Sequence, residues 1–436
     1  MSVGGNVGFT KKTVRDIDLT GKTVLLRVDY NLPLKGGKVT SDYRIEKSLP
    51  TIDYLLSKNC KIVLCSHMGR PEGKFDSALS LKPIAERLRK IINRPVGFVD
   101  DILADTTAKR VQSMQPKDIV MLENLRFYDG EETKDQDFAK VLADLADVFV
   151  QDAFGVVHHP AASLTEVPKL LPAVAGLLLE HEVDTITRTI EEPKHPLMAI
   201  IGGAKISDKI KILERFIDVA DFVVVGGAMA NTFLLAQGIR IGKSLAEKDE
   251  IPLAERIMEK ARKKARKQPF VFYVPQDGVV ASRIDKLAKT RIVDWDAHVF
   301  ASVSSYPNRP GRESATIGAD EMILDIGPFS GAFIAGGVQL AKTVIWNGTM
   351  GVTETPGVQG PVGPFAHGTE VIMDAMLGEY GNKPFTVVGG GDTVGYVEGR
   401  KLSSNFGHVS TGGGASMELM SGGKLPGVEA LLDMKK

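Results

Sequence analysis

Short runs of branched apolar residues recur along this chain, each followed by a glycine-rich or polar turn and then by a helical pattern. In the first half they are Thr23–Asp29, Lys61–Ser66, Ile119–Leu122 and Val148–Gln151. In the second half they are Leu197–Ile201, Phe222–Val225, Phe270–Val274, Met322–Ile326, Thr343–Trp346 and Phe385–Val388. Continuous apolar runs of this length suit parallel strands buried on both faces. Strands that alternate with helices wind into a right-handed, doubly wound sheet. A chain of 436 residues is too long for one core. The expected fold is therefore α/β, with two doubly wound (Rossmann-like) parallel-sheet domains.

The boundary is expected near Glu191–Pro196, because the amphipathic segment Leu177–Ile190 reads as one helix and Pro193 and Pro196 end it. That helix and its proline-bounded connector read as a hinge between domains at 1–190 and 191–417. Ser302–Asp320 is turn-rich and reads as a loop or insertion.

Lys and Arg together number 54 and Asp and Glu 54, so bulk charge argues for neither a nucleic-acid nor a membrane partner. The basic run Lys260–Lys267 sits at helical spacing and reads as a solvated helix face. The two cysteines, Cys60 and Cys65, flank or lie in an apolar run and read as core residues in a reducing compartment. The first residues lack the apolar stretch of a secretory signal, and a cytoplasmic location is expected.

In open α/β sheets ligands bind beyond the carboxyl ends of the strands. In the first half those positions hold Asp29, Asn31, His67, Arg70 and Arg126, with Arg44 in the segment SDYRIEK. A single arginine there is ordinarily a surface ion pair. Several converging on one sheet edge call for a small polyanion, since guanidinium forks suit phosphate and carboxylate. In the second half the strand ends are rich in glycine: Gly202 and Gly203 before Lys205 and Lys209, then Gly226 and Gly227, then Gly389, Gly390 and Gly391 before Asp392 and Thr393, then Gly412–Gly414. A lone glycine pair is a tight turn. Repeated pairs let backbone amides approach phosphates, and Asp392 beside them suits Mg²⁺. Lys205 and Lys209 share one helix face if their segment is helical. No GxxxxGK[ST] and no clean GxGxxG is present, which disfavours a Walker-type site and a dehydrogenase. His158 and His159 are adjacent, and on a strand end would point opposite ways. One half thus offers an arginine-lined anion site and the other a glycine-rich nucleotide site, a pairing suited to phosphoryl transfer.

The motifs RVDYN, SHMGRP, LENLRF, GGAKISDK, IWNGTMGV, GGGDT and HVSTGGGAS occur in the order found in phosphoglycerate kinases, and the resemblance runs from about Thr13 to Leu431. It implies a cytoplasmic, monomeric glycolytic enzyme that moves a phosphoryl group reversibly from 1,3-bisphosphoglycerate to ADP, with Mg²⁺. Domain 1–190 would bind 3-phosphoglycerate, domain 191–417 the nucleotide, and a tail at 418–436 would return to the first domain. Asp29, Asn31, Arg44, His67, Arg70 and Arg126 would hold 3-phosphoglycerate. The implied catalytic set is Arg44, Lys205, Gly391 and Gly414, with Arg44 and Lys205 nearest the transferring group. Gly203, Lys205, Lys209, Gly227, Ile323, Glu354, Gly390, Gly391, Asp392 and Thr393 would bind nucleotide, with Glu354 on the ribose and Asp392 on the metal. Three positions depart from the family pattern. His159 stands where the family has a substrate-phosphate arginine, Thr349 where it often has proline, and Ile323 where a small residue commonly lines the adenine pocket. A chain that kept the fold and lost turnover is the alternative reading, and His159 alone favours it.

Overall fold

The computed structural model describes residues 7–295, 316–358, 360 and 362–434. Most of the apolar runs become strands that are buried along nearly their whole length. Thr23–Arg27 lies between Lys61–Cys65 and Val148–Gln151, all parallel, with Thr23 opposite Lys61 and Val24 opposite Val148. Ile119–Leu122 and then Gly97–Val99 extend the sheet beyond Lys61–Cys65, and Ala173–Ala175 closes the other side, giving six strands. The second six-stranded sheet repeats this plan around Leu197–Ile201. Phe222–Val225 and Val271–Tyr273 lie to one side, and Thr343–Asn347, Phe385–Gly389 and His408–Val409 to the other.

Met322–Ile326 departs from expectation. It pairs antiparallel with Asp277–Ala281, which also pairs with Arg291–Asp294, in a separate three-stranded sheet. Its first two residues are only half-buried, so one end of this run is not a two-faced core strand. The segment 302–315, read above as loop, lies outside the described residues, and 316–320 is irregular.

The described residues pack as two units. One is drawn from Met1–Arg188, Thr411–Leu419 and Gly423–Lys436, the other from Thr189–Ser410 and Met420–Gly422. The sequence boundary grouped 411–417 with the second domain. In the structure Gly412 packs on Phe154 and Gly155, and Gly414 on His158, so Thr411–Leu419 belongs to the first unit. Helix Leu177–Glu191 carries the chain from one unit to the next. Its first turn is held by Asp152, whose Oδ1 accepts from the Leu178 and Leu179 N–H groups at 3.0 and 3.1 Å. Burial pushes the Asp152 carboxyl up to about 7.

The outer strand Ala173–Ala175 is not left bare. Ala175 N–H donates to Lys12 O at 2.8 Å, Val14 N–H to Ala175 O at 2.9 Å and Leu432 N–H to Ala173 O at 3.0 Å. Covering an edge in this way removes a template for pairing with other chains. The basic run after Lys260 is not simply solvated. Lys260 Nζ donates to Glu214 O and Lys264 Nζ to Asp218 O and Ala220 O, closing the C-terminus of helix Ile210–Val219. Cys60 and Cys65 are buried and free. Among the described residues no helix is long and apolar enough to cross a membrane.

Candidate functional site

The first unit gathers its polar groups just beyond the central strand. The chain leaves Thr23–Arg27 through Asp29, and Arg44, on helix Tyr43–Ser57, reaches back to it with Nη1 2.8 Å from Asp29 Oδ2. The same Nη1 donates to Asn31 O at 3.3 Å, and Asn31 N–H to Asp29 Oδ1 at 3.2 Å. Burial alone would raise the Asp29 carboxyl, but the Arg44 guanidinium holds it below the ordinary range. A Cβ on Gly155 would overlap the Asp29 carboxylate, so glycine is required there by close approach. Asn31 Oδ1 accepts from Gly69 N–H at 3.1 Å, and Arg126 Nη1 donates to Gly69 O at 2.8 Å, which ties Asp29, Asn31, Arg44 and Arg126 into one network.

Arg27, Arg70, Arg126 and His159 line one cavity of about 370 Å³, with Glu131, Glu132 and an apolar wall. Sequence reasoning missed Arg27, because it sits inside an apolar run. It is 1% exposed, and its Nε donates to Ser163 Oγ at 3.0 Å. His67 is also buried, and desolvation pushes its pKa down to about 3, so it is a neutral ring beside Asp29 and Arg27. His158 and His159 do not diverge as a strand would dictate. They follow a 3₁₀ turn, Phe154–Val156, and their ring centroids are 3.9 Å apart. Burial pushes His158 down to about 4.

The second unit builds its site from backbone. Gly227 and Gly348 have φ of +64° and +101°, and a Cβ on either would collide with the backbone of Gly202 or Gly203. The turns after three adjacent strands thus stack main chain on main chain. Thr393 is fully buried, and its Oγ1 accepts from Gly348 N–H at 2.6 Å, bracing this stack. Thr349 Oγ1 donates to Gly351 O at 3.1 Å, so Thr349 ties down its own turn.

Lys205 and Lys209 do not share a helix face, because helix starts only at Ile210 after the 3₁₀ turn Ser207–Lys209. Lys205 is exposed, whereas Lys209 is buried with Nζ bonded to Asn347 Oδ1. Burial pushes Lys209 down to about 8, against the pull of Asp392 and Asp208. Asn347, absent from the sequence-based set, ends strand Thr343–Asn347 and is fully buried, and its Nδ2 has no partner among the described residues. An asparagine closing an apolar run just before a glycine was the signal available.

A cavity of about 250 Å³ joins Gly203, Gly227 and Asp392 to Ile323, Trp295, Leu234 and Glu354. Gly390, Gly391, Lys205 and Lys209 lie outside its lining. Gly391 opens helix Gly391–Gly399, and Asp392 lies in the first turn, exposed. Asp325, also missed, lines the cavity with its carboxylate accepting from Gly368 and Ile326 N–H at 2.9 Å each. Burial pushes it up to about 8. Among the described residues no cluster of three or more His, Cys, Asp or Glu side chains could hold a metal unaided.

A family model described as phosphoglycerate kinase matches residues 14–423. Phosphoglycerate kinase of Moorella thermoacetica is 42% identical over 98% of this chain and 100% of its own. That of Desulforapulum autotrophicum is 45% identical over 96% of this chain and 100% of its own. The solved phosphoglycerate kinase from Coxiella burnetii superposes with a TM-score of 0.78 at 34% identity, covering 96% of this chain and 98% of that one. The structure from Pyrococcus horikoshii OT3 gives 0.77 at 28% identity with the same coverage, 96% and 98%.

Proposed function

Because this chain belongs to the phosphoglycerate kinase family and carries that activity, we propose that each unit holds one of the two reactants. The first unit's Asp29, Asn31, Arg44, His67, Arg70, Arg126 and His159 bind 3-phosphoglycerate or its acyl phosphate. The second unit's cavity binds ADP or ATP, with the phosphates toward Gly203, Gly227, Lys205, Lys209 and the Gly390–Thr393 turn, and the nucleoside toward Ile323 and Glu354. The observation that carries this reading is one cavity lined by Gly203, Gly227 and Asp392 together with Leu234, Trp295, Ile323 and Glu354. It sets glycine backbone and one carboxylate beside an apolar lining, the pairing that a nucleotide's phosphates and base call for. The free, buried Cys60 and Cys65 support a reducing, cytoplasmic setting.

The chemistry asks little of a base. A β-phosphate oxygen of ADP forms a bond to the acyl phosphorus, the bond from phosphorus to the acyl oxygen breaks, and a carboxylate departs. Nucleophile and leaving group are both ionised, so no proton moves. What the protein supplies is alignment and positive charge on the transferring group. Arg44 and Lys205 are the side chains suited to that, and the N-terminal amides at Gly391 and Gly414 add partial positive charge. The family is generally Mg²⁺-dependent. One carboxylate beside a phosphate cradle fits Mg²⁺, which takes its remaining ligands from phosphate and water. Asp392 would hold it, and the ion would neutralise phosphate charge.

Asp392→Ala is the test of the nucleotide assignment. It is expected to weaken Mg²⁺–ADP binding by about tenfold or more, the loss of one charged contact, while the Kd for 3-phosphoglycerate stays unchanged. Normal Mg²⁺ dependence in that variant would make Asp392 a helix-terminal residue only.

His159 gives a test of the other half. Histidine offers fewer donors than arginine and carries charge only when protonated. His159→Arg is expected to tighten 3-phosphoglycerate binding by about 5–30-fold, equivalent to ~1–2 kcal/mol for one charge-assisted contact. An unchanged Kd, read by calorimetry, assigns the substrate phosphate to Arg70 and Arg126 alone.

A further inference from the structure

One cavity of the first unit lies away from the strand ends that carry the candidate substrate residues. It is a groove of about 740 Å³ at the opposite, N-terminal ends of the outer strands Gly97–Val99 and Ile119–Leu122. Its cations come from separate pieces of chain. Arg89 and Lys90 lie in the last turn of helix Lys82–Ile92, Arg94 just past the left-handed cap at Asn93, and Arg110 at the end of helix Asp105–Gln112. Among the described residues none of these four side chains has an ion-pair or hydrogen-bond partner. A Cβ on Gly97 would overlap the Arg110 guanidinium, so the glycine lets that group lie against the edge-strand backbone.

The ordinary role of cations in last turns is to offset the helix dipole. Two helix C-termini together amount to about one negative charge. The one carboxylate in the lining, Asp118, already accepts from Gln115 N–H at 2.8 Å. Four cations against those two leave an excess of about two positive charges, gathered in one concave surface. The four come from three pieces of chain, the helix end at Arg89 and Lys90, Arg94 beyond its cap and the helix end at Arg110, so a ligand with several anionic groups can engage them together. We propose that this groove binds a linear polyphosphate anion, at a site separate from both catalytic ligands.

Calorimetric titration with inorganic tripolyphosphate tests this. The full chain is first saturated with 3-phosphoglycerate and ADP, a pair that cannot react together, so both substrate sites are filled. One added binding event per chain is expected, weakened at least about tenfold in Arg94→Glu/Arg110→Glu, as loss of charge-assisted contacts implies, with kcat unchanged. Arg94→Gln, on an exposed residue beyond the helix end, is expected to weaken it in the same direction and decides the matter if the double variant fails to fold. Sulfate at equal ionic strength is expected to give no such event. Absence of the added event, identical isotherms for wild type and variants, or an equal response to sulfate each overturns the proposal.

Discussion

Arg44→Ala is expected to lower kcat by roughly 10²–10³, the usual cost of removing a donor aimed at developing charge, while 3-phosphoglycerate binds within a few-fold of its normal affinity. In the free protein Arg44 uses Nη1 to hold Asp29 and Asn31 O. A guanidinium has five donors, so Nε and Nη2 remain to meet a phosphoryl group. The same change leaves the Asp29 carboxylate, 8% exposed, without its counter-charge. Breaking a fully buried pair costs about 3–5 kcal/mol. Arg44 is 28% exposed, so solvent screening reduces this, and a loss of about 1–3 kcal/mol is expected. Arg44→Ala/Asp29→Asn separates the two effects, because it should recover Tm without recovering kcat. If the double variant regains turnover, Arg44 serves only to position Asp29. Arg44→Lys keeps charge but not the fork, and should fall between.

Nucleotide affinity is expected to fall as pH rises above 8, through Lys209. Burial has already lowered this lysine to about 8 in the free protein. A phosphate beside Nζ favours the charged form and raises its pKa again. Binding therefore takes up a proton when pH exceeds the free-state value. Affinity should drop by up to about tenfold per pH unit from there until the bound-state pKa is passed. Phosphate monoesters lose their last proton near 6, so the ligand's own charge is constant over this window. Lys209→Arg stays charged throughout and should give a flat profile. ADP titrations between about pH 7 and 10 at fixed Mg²⁺ activity read this directly, and a flat wild-type profile removes Lys209 from the phosphate site.

The sequence made the central strands legible because each is a continuous apolar run with no solvent-facing side. Gly97–Val99, Ala173–Ala175 and His408–Val409 were not legible, being two or three residues long, below what any periodicity registers. Met322–Ile326 was misplaced for a related reason, since composition does not distinguish a parallel strand from an antiparallel one. Candidate site residues that close or follow apolar runs, such as Asp29, His67 and Arg126, stood out by position. Arg27, Asn347 and Asp325 did not, because polar residues within or closing an apolar run look like interruptions of the core. Their roles depend on partners distant in sequence: Ser163 for Arg27, Lys209 for Asn347 and Gly368 for Asp325. The helical reading of Lys205 and Lys209 failed at a turn boundary, where spacing of four carries no facial meaning.

The covered edge at Ala173–Ala175 bears on how the chain folds as it leaves the ribosome. Domains tend to fold in the order they are made. The second unit is almost wholly contiguous, from Thr189 to Ser410, whereas the first draws on residues up to the Leu432 that seals its outer strand. Until residues 411–432 have been synthesised, Ala173 O lacks its Leu432 donor and Glu182 lacks the Thr411 N–H and hydroxyl that it holds in the finished protein. Released chains that end at Ser410 should therefore carry a largely folded second unit and a protease-sensitive first one, although the first was translated earlier.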